Sequence, residues 1–449
     1  MGKLFGTDGV RGIANLELTP ELAFKIGRAA GQVLSNGDKG VVVVGKDTRI
    51  SGDMLEAALS AGLTSMGLDV MQLGIIPTPA VAYLTRKYGA LAGVVISASH
   101  NPGEYNGIKI FNSKGLKLQD AIEEQIEGII KDDKEIYDRP IKDHIGRVYI
   151  SEDGDRDYID FLKSTVSLDL SGMKVAMDCG NGALFKIAPI VLEELGIKVE
   201  SINISPDGMN INKACGSTKP ELVQKLTREI GADLGVAFDG DADRIIAVDE
   251  IGNIINGDHI LAICGRHLKD KGKLNKNKVV GTVMTNIGLD IFLKENGLEI
   301  EKTDVGDRYI LEKMLEEGYN LGGEQSGHII FLDHNTTGDG LLTALQLLEI
   351  IKETNTKASD LKSIMSDYPQ VLVNARVENK NKTKYLEVPE IKAEIMKIEE
   401  IFHGEGRVLI RPSGTEPLVR VMIEGKNQSF INQKAIELAN LIESKLGIK

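Results

Sequence analysis

The sequence predicts an α/β protein: three similar α/β domains with mixed, largely parallel sheets, then a smaller C-terminal α+β domain. Three observations carry this. Short apolar strands alternate with helical patterns through the first three-quarters of the 449 residues. Two strand-to-loop patterns each recur three times. The length itself suggests about three domains.

Taken in order, MGKLFGTDGVRG has no apolar h-region, so no signal peptide is expected. Gly6 stands where a myristoylated Gly2 would need Ser or Thr. LTPELAFKIGRAAGQVLS predicts a helix with Thr19 as N-cap and Pro20 at its first position. KGVVVVGKDTR reads as a buried strand entering a loop, and SGDMLEAALSAGLTSMG as a helix capped by Ser51. TPAVAYLTRKYG repeats the Thr-Pro start at Thr78 and Pro79. GALAGVVISASHNP from Gly89, GADLGVAFDGDADR from Gly231 and GYNLGGEQSGH from Gly318 each run a turn, a strand and a polar loop. VVVVGKDTR, VAMDCGNGA and VVGTVMTNIG form the second echo. The spacings are unequal, which excludes a solenoid and favours three copies of one α/β domain. Ligands of open α/β sheets bind beyond the carboxyl ends of strands, where these loops fall.

The charged stretch KDDKEIYDRPIKDH (131–144) reads as a link, and SDYPQ (366–370) as a boundary. RVLIRPSG and VRVMIEG then read as strands, with a final helix from about Phe430. The expected domains are 1–150, 151–255, 256–368 and 369–449.

Composition is that of a globular chain, 42% hydrophobic and 27% charged. A formal charge of −13 argues against nucleic-acid binding. Cys179, Cys215 and Cys264 are widely spaced and show no CxxC, so a reducing, cytoplasmic setting is expected. No apolar run approaches the roughly 20 residues of a membrane span.

The chemistry gathers in GVAFDGDADRIIAV. In an extended segment Asp239, Asp241 and Asp243 would face one side and could hold one hard cation, Mg²⁺ or Ca²⁺. An EF-hand is excluded, because its sixth position needs Gly and is Arg244, and the flanks read as strands. Arg244 beside a cation suits a phosphoryl group. VVISASHNPGEYNGIKIF brings Ser97, Ser99 and His100 to a strand end without the GxSxG of a hydrolase elbow.

SASHNP with NGIK, DGDADR, GEQSGH and RPSGTEP, in this order over nearly the whole chain, resembles the α-D-phosphohexomutase superfamily. The resemblance implies four domains around a central cleft and a phosphate carried on Ser99, with Ser97 a neighbour. It implies one Mg²⁺ per subunit on phospho-Ser99, Asp239, Asp241 and Asp243, with His100, Lys109 and Arg244 in the catalytic set. Two phosphate dianions about 5 Å apart repel by roughly 10 kcal/mol at an effective dielectric near 20, so cations are needed to bring them together. The resemblance assigns sugar hydroxyls to Glu324 and Ser326, and an acid/base role to His328. Arg411, Ser413, Gly414, Thr415 and Arg420 would cradle the phosphate that is not being transferred. Arg11 and Arg49 match further positions near the cleft.

LFGTDGVRG, PDGMNINKACGSTKPELV and TDVGDRYI resemble the amino-sugar branch of these mutases. That branch implies interconversion of glucosamine 6-phosphate and glucosamine 1-phosphate through a 1,6-bisphosphate, which also serves as primer, feeding UDP-N-acetylglucosamine synthesis. Asp307, where the mannose/glucose types carry His, would favour an ammonium group. A homodimer is usual among such proteins, and a kinase or a bisphosphate would load Ser99. The alternatives are a phosphoglucomutase or phosphomannomutase, a metal-dependent sugar phosphatase, and a non-enzymatic phosphosugar sensor.

Overall fold

The computed structural model describes residues 4–6, 8–35, 39–132, 139–413 and 416–447. Four sheets organise them. The first contains β1 (Val10–Ile13), β2 (Val41–Lys46), β3 (Asp69–Ile75), β4 (Ala92–Ile96), β5 (Tyr105–Asn112) and β6 (Val148–Ile150), in the order β1-β5-β4-β2-β3-β6. The second contains β7 (Lys174–Asp178), β8 (Lys198–Ile202), β9 (Leu234–Phe238), β10 (Ile245–Val248) and β11 (Ile254–Ile255), ordered β11-β10-β9-β7-β8. The third contains β12 (Lys278–Thr282), β13 (Glu299–Thr303), β14 (Leu321–Gly323) and β15 (Ile329–Phe331), ordered β13-β12-β14-β15. The last is an antiparallel sheet of β16 (Gln370–Arg376), β17 (Gly406–Pro412) and β18 (Leu418–Gly425), with β18 central.

The recurring sequence patterns have a structural cause. β5-β4-β2-β3, β10-β9-β7-β8 and β15-β14-β12-β13 are one sheet order drawn three times. The second echo supplies the inner strand of each copy. In the first, a glycine of left-handed φ follows a helix: Gly89 at 60°, Gly231 at 62° and Gly318 at 72°. A Cβ at any of the three would meet open space, so it is the backbone angle that asks for glycine. The next strand is then β4, β9 or β14. Each of these pairs antiparallel with its successor, so each polar loop is the bend of a hairpin at the sheet's chemical edge.

Helix starts follow local chemistry only in part. Thr19 Oγ1 accepts the Leu22 N–H at 3.2 Å, capping the helix Pro20–Ser35 as expected. Ser51 precedes the helix Gly52–Thr64 but makes no cap bond, and its hydroxyl instead accepts from Asn106 Nδ2 at 2.9 Å. Thr78 is the first residue of its helix, not the cap, and spends its hydroxyl elsewhere.

By packing the chain forms two compact units. One comprises Met1–Met284 with Ile300–Ser363, and the other Thr285–Glu299 with Ile364–Lys449. Within the second, the helices Pro389–Phe402 and Gln428–Leu446 cover the antiparallel sheet through Ile391, Ile398, Leu438 and Ile442. The helix Ile287–Glu295 joins this unit through Asn286, whose side chain bonds both N and O of Tyr368, at 3.1 and 2.9 Å.

In the first unit a buried polar node joins three sequence regions. Asp339 caps the helix Gly340–Thr354 through the Leu342 N–H at 3.0 Å, and accepts from Tyr158 Oη at 2.8 Å and Asn335 Nδ2 at 3.2 Å. Burial outweighs these bonds and pushes its pKa up to about 6. A raised carboxylate pKa contributes stability in full below the unfolded value near 4. That contribution is lost as pH rises through about 6, a swing of about 2–3 kcal/mol. Thermal unfolding of Asp339→Asn should therefore show a smaller fall in stability between pH 4 and pH 7 than the parent chain. An unchanged pH dependence would show that Asp339 is ionised throughout.

Candidate active site

The phosphoserine candidate lies just beyond β4. Ser99 is buried and adopts φ +52°, a left-handed angle that a residue with a Cβ rarely takes. In that pose its Oγ donates to Asp239 Oδ2 at 2.6 Å. The three aspartates come together by a route the sequence does not announce. They do not lie on an extended segment, because the chain turns between β9 and β10, with Ala242 at φ +58°. The turn still brings one oxygen of each carboxylate within 4.8 Å of the others, all buried. This corrects the alternating-strand rationale while keeping its outcome.

Three buried carboxylates so close need cations. Lys109, fully buried on β5, puts Nζ 2.8 Å from Asp241, 3.4 Å from Asp243 and 3.0 Å from Asp8. Burial alone would drive its proton off, but Asp241, Asp8 and Asp243 together raise its pKa well above the ordinary lysine value. Asp243 is held the other way. Burial opposes its charge, yet Lys109 and His328 keep its pKa well below the usual carboxylate range. Asp239, farther from the lysine, is pushed up by burial and by Asp243 and Asp241. Thr78 completes the shell, its hydroxyl donating to Asp241 Oδ2 at 2.6 Å and its N–H to Asp241 O at 3.0 Å.

Arg244 lies beside this cluster. Its backbone N–H reaches Asp239 Oδ1 at 3.1 Å, and its Nη1 lies 3.2 Å from His100 Nδ1. Burial, Arg244 and Arg11 lower the His100 pKa, so the neutral ring accepts from the guanidinium. His100 Nδ1 is also 3.3 Å from Ser99 Oγ.

A second ion network continues from the first. Asp8 pairs with Arg11, Lys109 and Lys117, and Lys117 Nζ is 2.5 Å from both Asp8 Oδ1 and Asp307 Oδ2. Asp307 is thus already paired with a half-buried ammonium. His328 is enclosed between Asp307, 3.4 Å from Nε2, and Asp243, 3.8 Å from Nδ1. Burial disfavours a charged ring while the two carboxylates favour one and raise its pKa. The Gly338 N–H, 3.0 Å from Nε2, donates to the lone pair of the neutral ring, a bond that the charged ring favoured by the carboxylates would forfeit. Glu324 and the exposed Ser326 occupy the bend after β14, with their side chains 3.5 Å apart. Arg49, expected near the cleft, is buried beneath the Ser99 loop, with its Nη2 on the Ser99 carbonyl.

In the second unit Arg411 on β17 and Arg420 on β18 are register partners. Ser413 follows β17, and its Oγ accepts the Glu416 N–H at 3.2 Å. Lys382 Nζ holds the Ser413 carbonyl at 2.6 Å. Gly414 and Thr415 lie outside the described residues. Sequence reading missed Asp8, Thr78, Lys117 and Lys382. Asp8 sits in the quoted GTDGVRG and carried a signal, a carboxylate inside a motif with Arg11. The other three become visible only through contacts distant in sequence.

The cluster fits a hard divalent cation. Asp241 Oδ1 and Asp243 Oδ1 are buried with no hydrogen-bond partner among the described residues, and the donors are all oxygen.

Comparison with known proteins agrees. The chain matches "Phosphoglucomutase/phosphomannomutase" alpha/beta/alpha domains I (2–137), II (156–252) and III (256–368) and the C-terminal domain (372–441). It is 62% identical over 448 residues to the phosphoglucosamine mutase of Clostridioides difficile, and 60% over 449 to that of Acetivibrio thermocellus, each alignment covering 100% of both chains. A Burkholderia thailandensis phosphoglucomutase/phosphomannomutase family protein shares the fold at TM-score 0.84 and 24% identity, covering 98% of this chain and 97% of that one. So does Aspergillus fumigatus N-acetylphosphoglucosamine mutase, solved with GlcNAc-6P and magnesium, at TM-score 0.68 and 17% identity, covering 98% and 95%. The chain belongs to the phosphoglucomutase/phosphomannomutase family of α-D-phosphohexomutases and, within it, to the phosphoglucosamine mutases.

The aspartate turn leaves no room for growth. A Cβ on Gly240 would meet Ser99 O and Ile211 Cδ1, each at 2.7 Å. Gly240→Ala should cost about 1–3 kcal/mol of stability and lower Mg²⁺ affinity, read by thermal melting with and without the ion. A normal melt with normal Mg²⁺ response would show that the two loops part easily.

Proposed function

We propose that this isomerase interconverts glucosamine 6-phosphate and glucosamine 1-phosphate with Ser99 as the phosphoryl carrier. The observation that carries the reading is the Ser99 hydroxyl, 2.6 Å from Asp239 at the mouth of a buried three-carboxylate cluster. In the first half-reaction O1 of glucosamine 6-phosphate attacks the phosphorus of phospho-Ser99. The bond from phosphorus to Ser99 Oγ breaks, the O1–P bond forms, and the proton lost by O1 is balanced by one gained at Oγ. In the second, Ser99 Oγ attacks the 6-phosphoryl group of the bisphosphate after it has turned round. The Oγ–P bond forms, the P–O6 bond breaks, the proton lost by Oγ is balanced by one gained at O6, and glucosamine 1-phosphate leaves. Phospho-Ser99, Asp239, Asp241 and Asp243 would hold Mg²⁺, which as a Lewis acid offsets charge on the phosphoryl oxygens.

The protein's own groups supply the rest. Lys109 and Arg244 offset charge where the two phosphates meet. His100, kept neutral, orients the Arg244 guanidinium. Glu324 and Ser326 grip sugar hydroxyls, with His328 beside the reacting hydroxyl. Arg411, Ser413 and Arg420, with Gly414 and Thr415, take the phosphate that is not being transferred, and Arg11 lies among the binding residues.

Specificity follows from the Asp307–Lys117 pair. A sugar ammonium can replace the lysine ammonium on Asp307 without a net change of charge beside that carboxylate, whereas a neutral hydroxyl cannot. Asp307→Asn should then reduce the preference for glucosamine 6-phosphate over glucose 6-phosphate by about tenfold, mostly through kcat/KM.

The reading is tested by kcat/KM for glucosamine, glucose and mannose phosphates, with Mg²⁺ and the 1,6-bisphosphate primer. Amino-sugar preference, lost with all turnover in Ser99→Ala, is the expected result. Better turnover of glucose or mannose phosphates would move the chain to the sister mutases. Net release of inorganic phosphate would support the phosphatase alternative.

A further inference from the structure

Ser99 is held in its left-handed pose by a set of groups that the phosphoryl chemistry does not use. Its N–H donates to Ser97 Oγ at 2.9 Å, and Ser97 Oγ in turn donates to Asp47 Oδ2 at 2.6 Å. Its carbonyl oxygen accepts from Arg49 Nη2 and Asn212 Nδ2, each at 2.9 Å. Arg49 is committed entirely to this task. Its Nε meets Asp47 at 2.9 Å, Nη2 also takes Asn101 O at 2.8 Å, and Nη1 takes Tyr105 O at 2.9 Å together with Pro102 O. Asn212 takes Asn101 O as well, at 3.1 Å.

We propose that Asn212 and Arg49 are positioning residues for the phosphoryl carrier, fixing the Ser99 backbone so that Oγ faces Asp239 while the carbonyl faces away. The inference rests on the mutase reading above. Two physical effects make the arrangement consequential. A left-handed serine relaxes to a right-handed or extended angle unless its neighbours over-determine it, and relaxation would swing Oγ off its line to Asp239. The carbonyl is also the negative end of a peptide dipole. Two donors hold it outside the space where a phosphate dianion must form, so its lone pairs are satisfied and do not repel that charge. Ser97 gains a role too, as the acceptor that fixes the other side of the same residue.

Asn212 lies in PDGMNINKACGSTKPELV, the stretch whose pattern set the amino-sugar branch apart, and itself has φ +56°. Its backbone N–H is tied to Gly180 O at 2.9 Å. The second α/β domain thus reaches over and shapes the nucleophile loop of the first. No residue of this set touches the sugar in the proposed mechanism.

The test uses three variants of the full chain, two at Asn212 and one at Arg49. Asn212→Gly tolerates the left-handed angle and removes the amide. Asn212→Asp keeps the shape and turns a donor into an acceptor facing two carbonyls. With Mg²⁺ and primer, kcat should fall about 10- to 100-fold in Asn212→Gly and further in Asn212→Asp. KM for glucosamine 6-phosphate should stay within about threefold, because the sugar and distal-phosphate contacts are intact. Intact-mass analysis should show slower loading of Ser99 by the bisphosphate, and melting temperatures should stay within about 3 °C of the parent. Arg49→Lys, which keeps the charge but cannot span four carbonyls, should repeat the split if it folds. Parental kcat in Asn212→Asp overturns the proposal. So does a loss that raises KM in step with a fall in melting temperature, since that is a scaffold effect. A parent chain that turns over no phosphosugar would sink the mutase reading first, and this inference with it.

Discussion

Everything at the site depends on keeping like charges together in a dry place. Carboxylate oxygens no more than 4.8 Å apart repel by at least about 3.5 kcal/mol per pair at an effective dielectric near 20. Lys109, at 2.8 and 3.4 Å from two of them, returns roughly 5–6 kcal/mol per contact on the same scale. The aspartates can therefore be buried only because the lysine is buried with them. Counting outward, Asp8 and Asp307 bring the carboxylates to five, against Lys109, Lys117, Arg11 and Arg244. With every carboxylate ionised, the state that a bound cation would favour at Asp239, the balance is one negative charge. A divalent cation would reverse that sign, and a phosphoserine dianion would restore it. The network is thus within one charge of neutrality with both partners or with neither, which suits a site that must lend and recover a phosphoryl group.

The same requirement explains why the chemistry sits where β4, β9 and β14, each parallel to an inner strand on one side, turn back through an antiparallel partner on the other. A parallel strand ends in a crossover that carries the chain away. The antiparallel partners β5, β10 and β15 bring it straight back, so each bend is held by ladder bonds on both sides. Lys109 is on β5 and the aspartates are in the β9–β10 bend. Precision to a few tenths of an ångström is what a cluster of coupled charges needs, and rigid elements deliver it better than free loops.

Much of this was legible in the sequence, and the missing parts share physical reasons. The triplicate fold was readable because each copy repeats a glycine that only a left-handed turn requires, followed by an apolar strand. The serine loop, the aspartates and the basic residues stood out because their chemistry is rare in combination. Two kinds of feature were hidden. One is the sign of φ at residues other than glycine: Ser99 and Ala242 are left-handed, and nothing in a serine or an alanine says so. The other is long-range pairing. Thr78 meets Asp241 across 163 positions and Lys117 meets Asp307 across 190, so Thr78 showed only a helix start and Lys117 carried no local signal. Ser51 shows the converse error, a good local cap signal overridden by a tertiary bond to Asn106.

The hidden features and the legible ones are not independent. A serine can carry phosphate only if its hydroxyl projects toward a cation, and the left-handed angle is what projects it. That angle is unfavourable alone, so its cost must be offset by bonds from elsewhere in the chain: Ser97, Arg49 and Asn212. Asn212 in turn stands where it does because Gly240, in the aspartate bend, leaves its side chain room beside the Ser99 carbonyl. The aspartate turn and the Ser99 loop are therefore shaped against each other, through one missing Cβ and one amide. Each motif takes part of its geometry from the other, so the fit between the two loops is set by contacts that neither stretch of sequence shows alone.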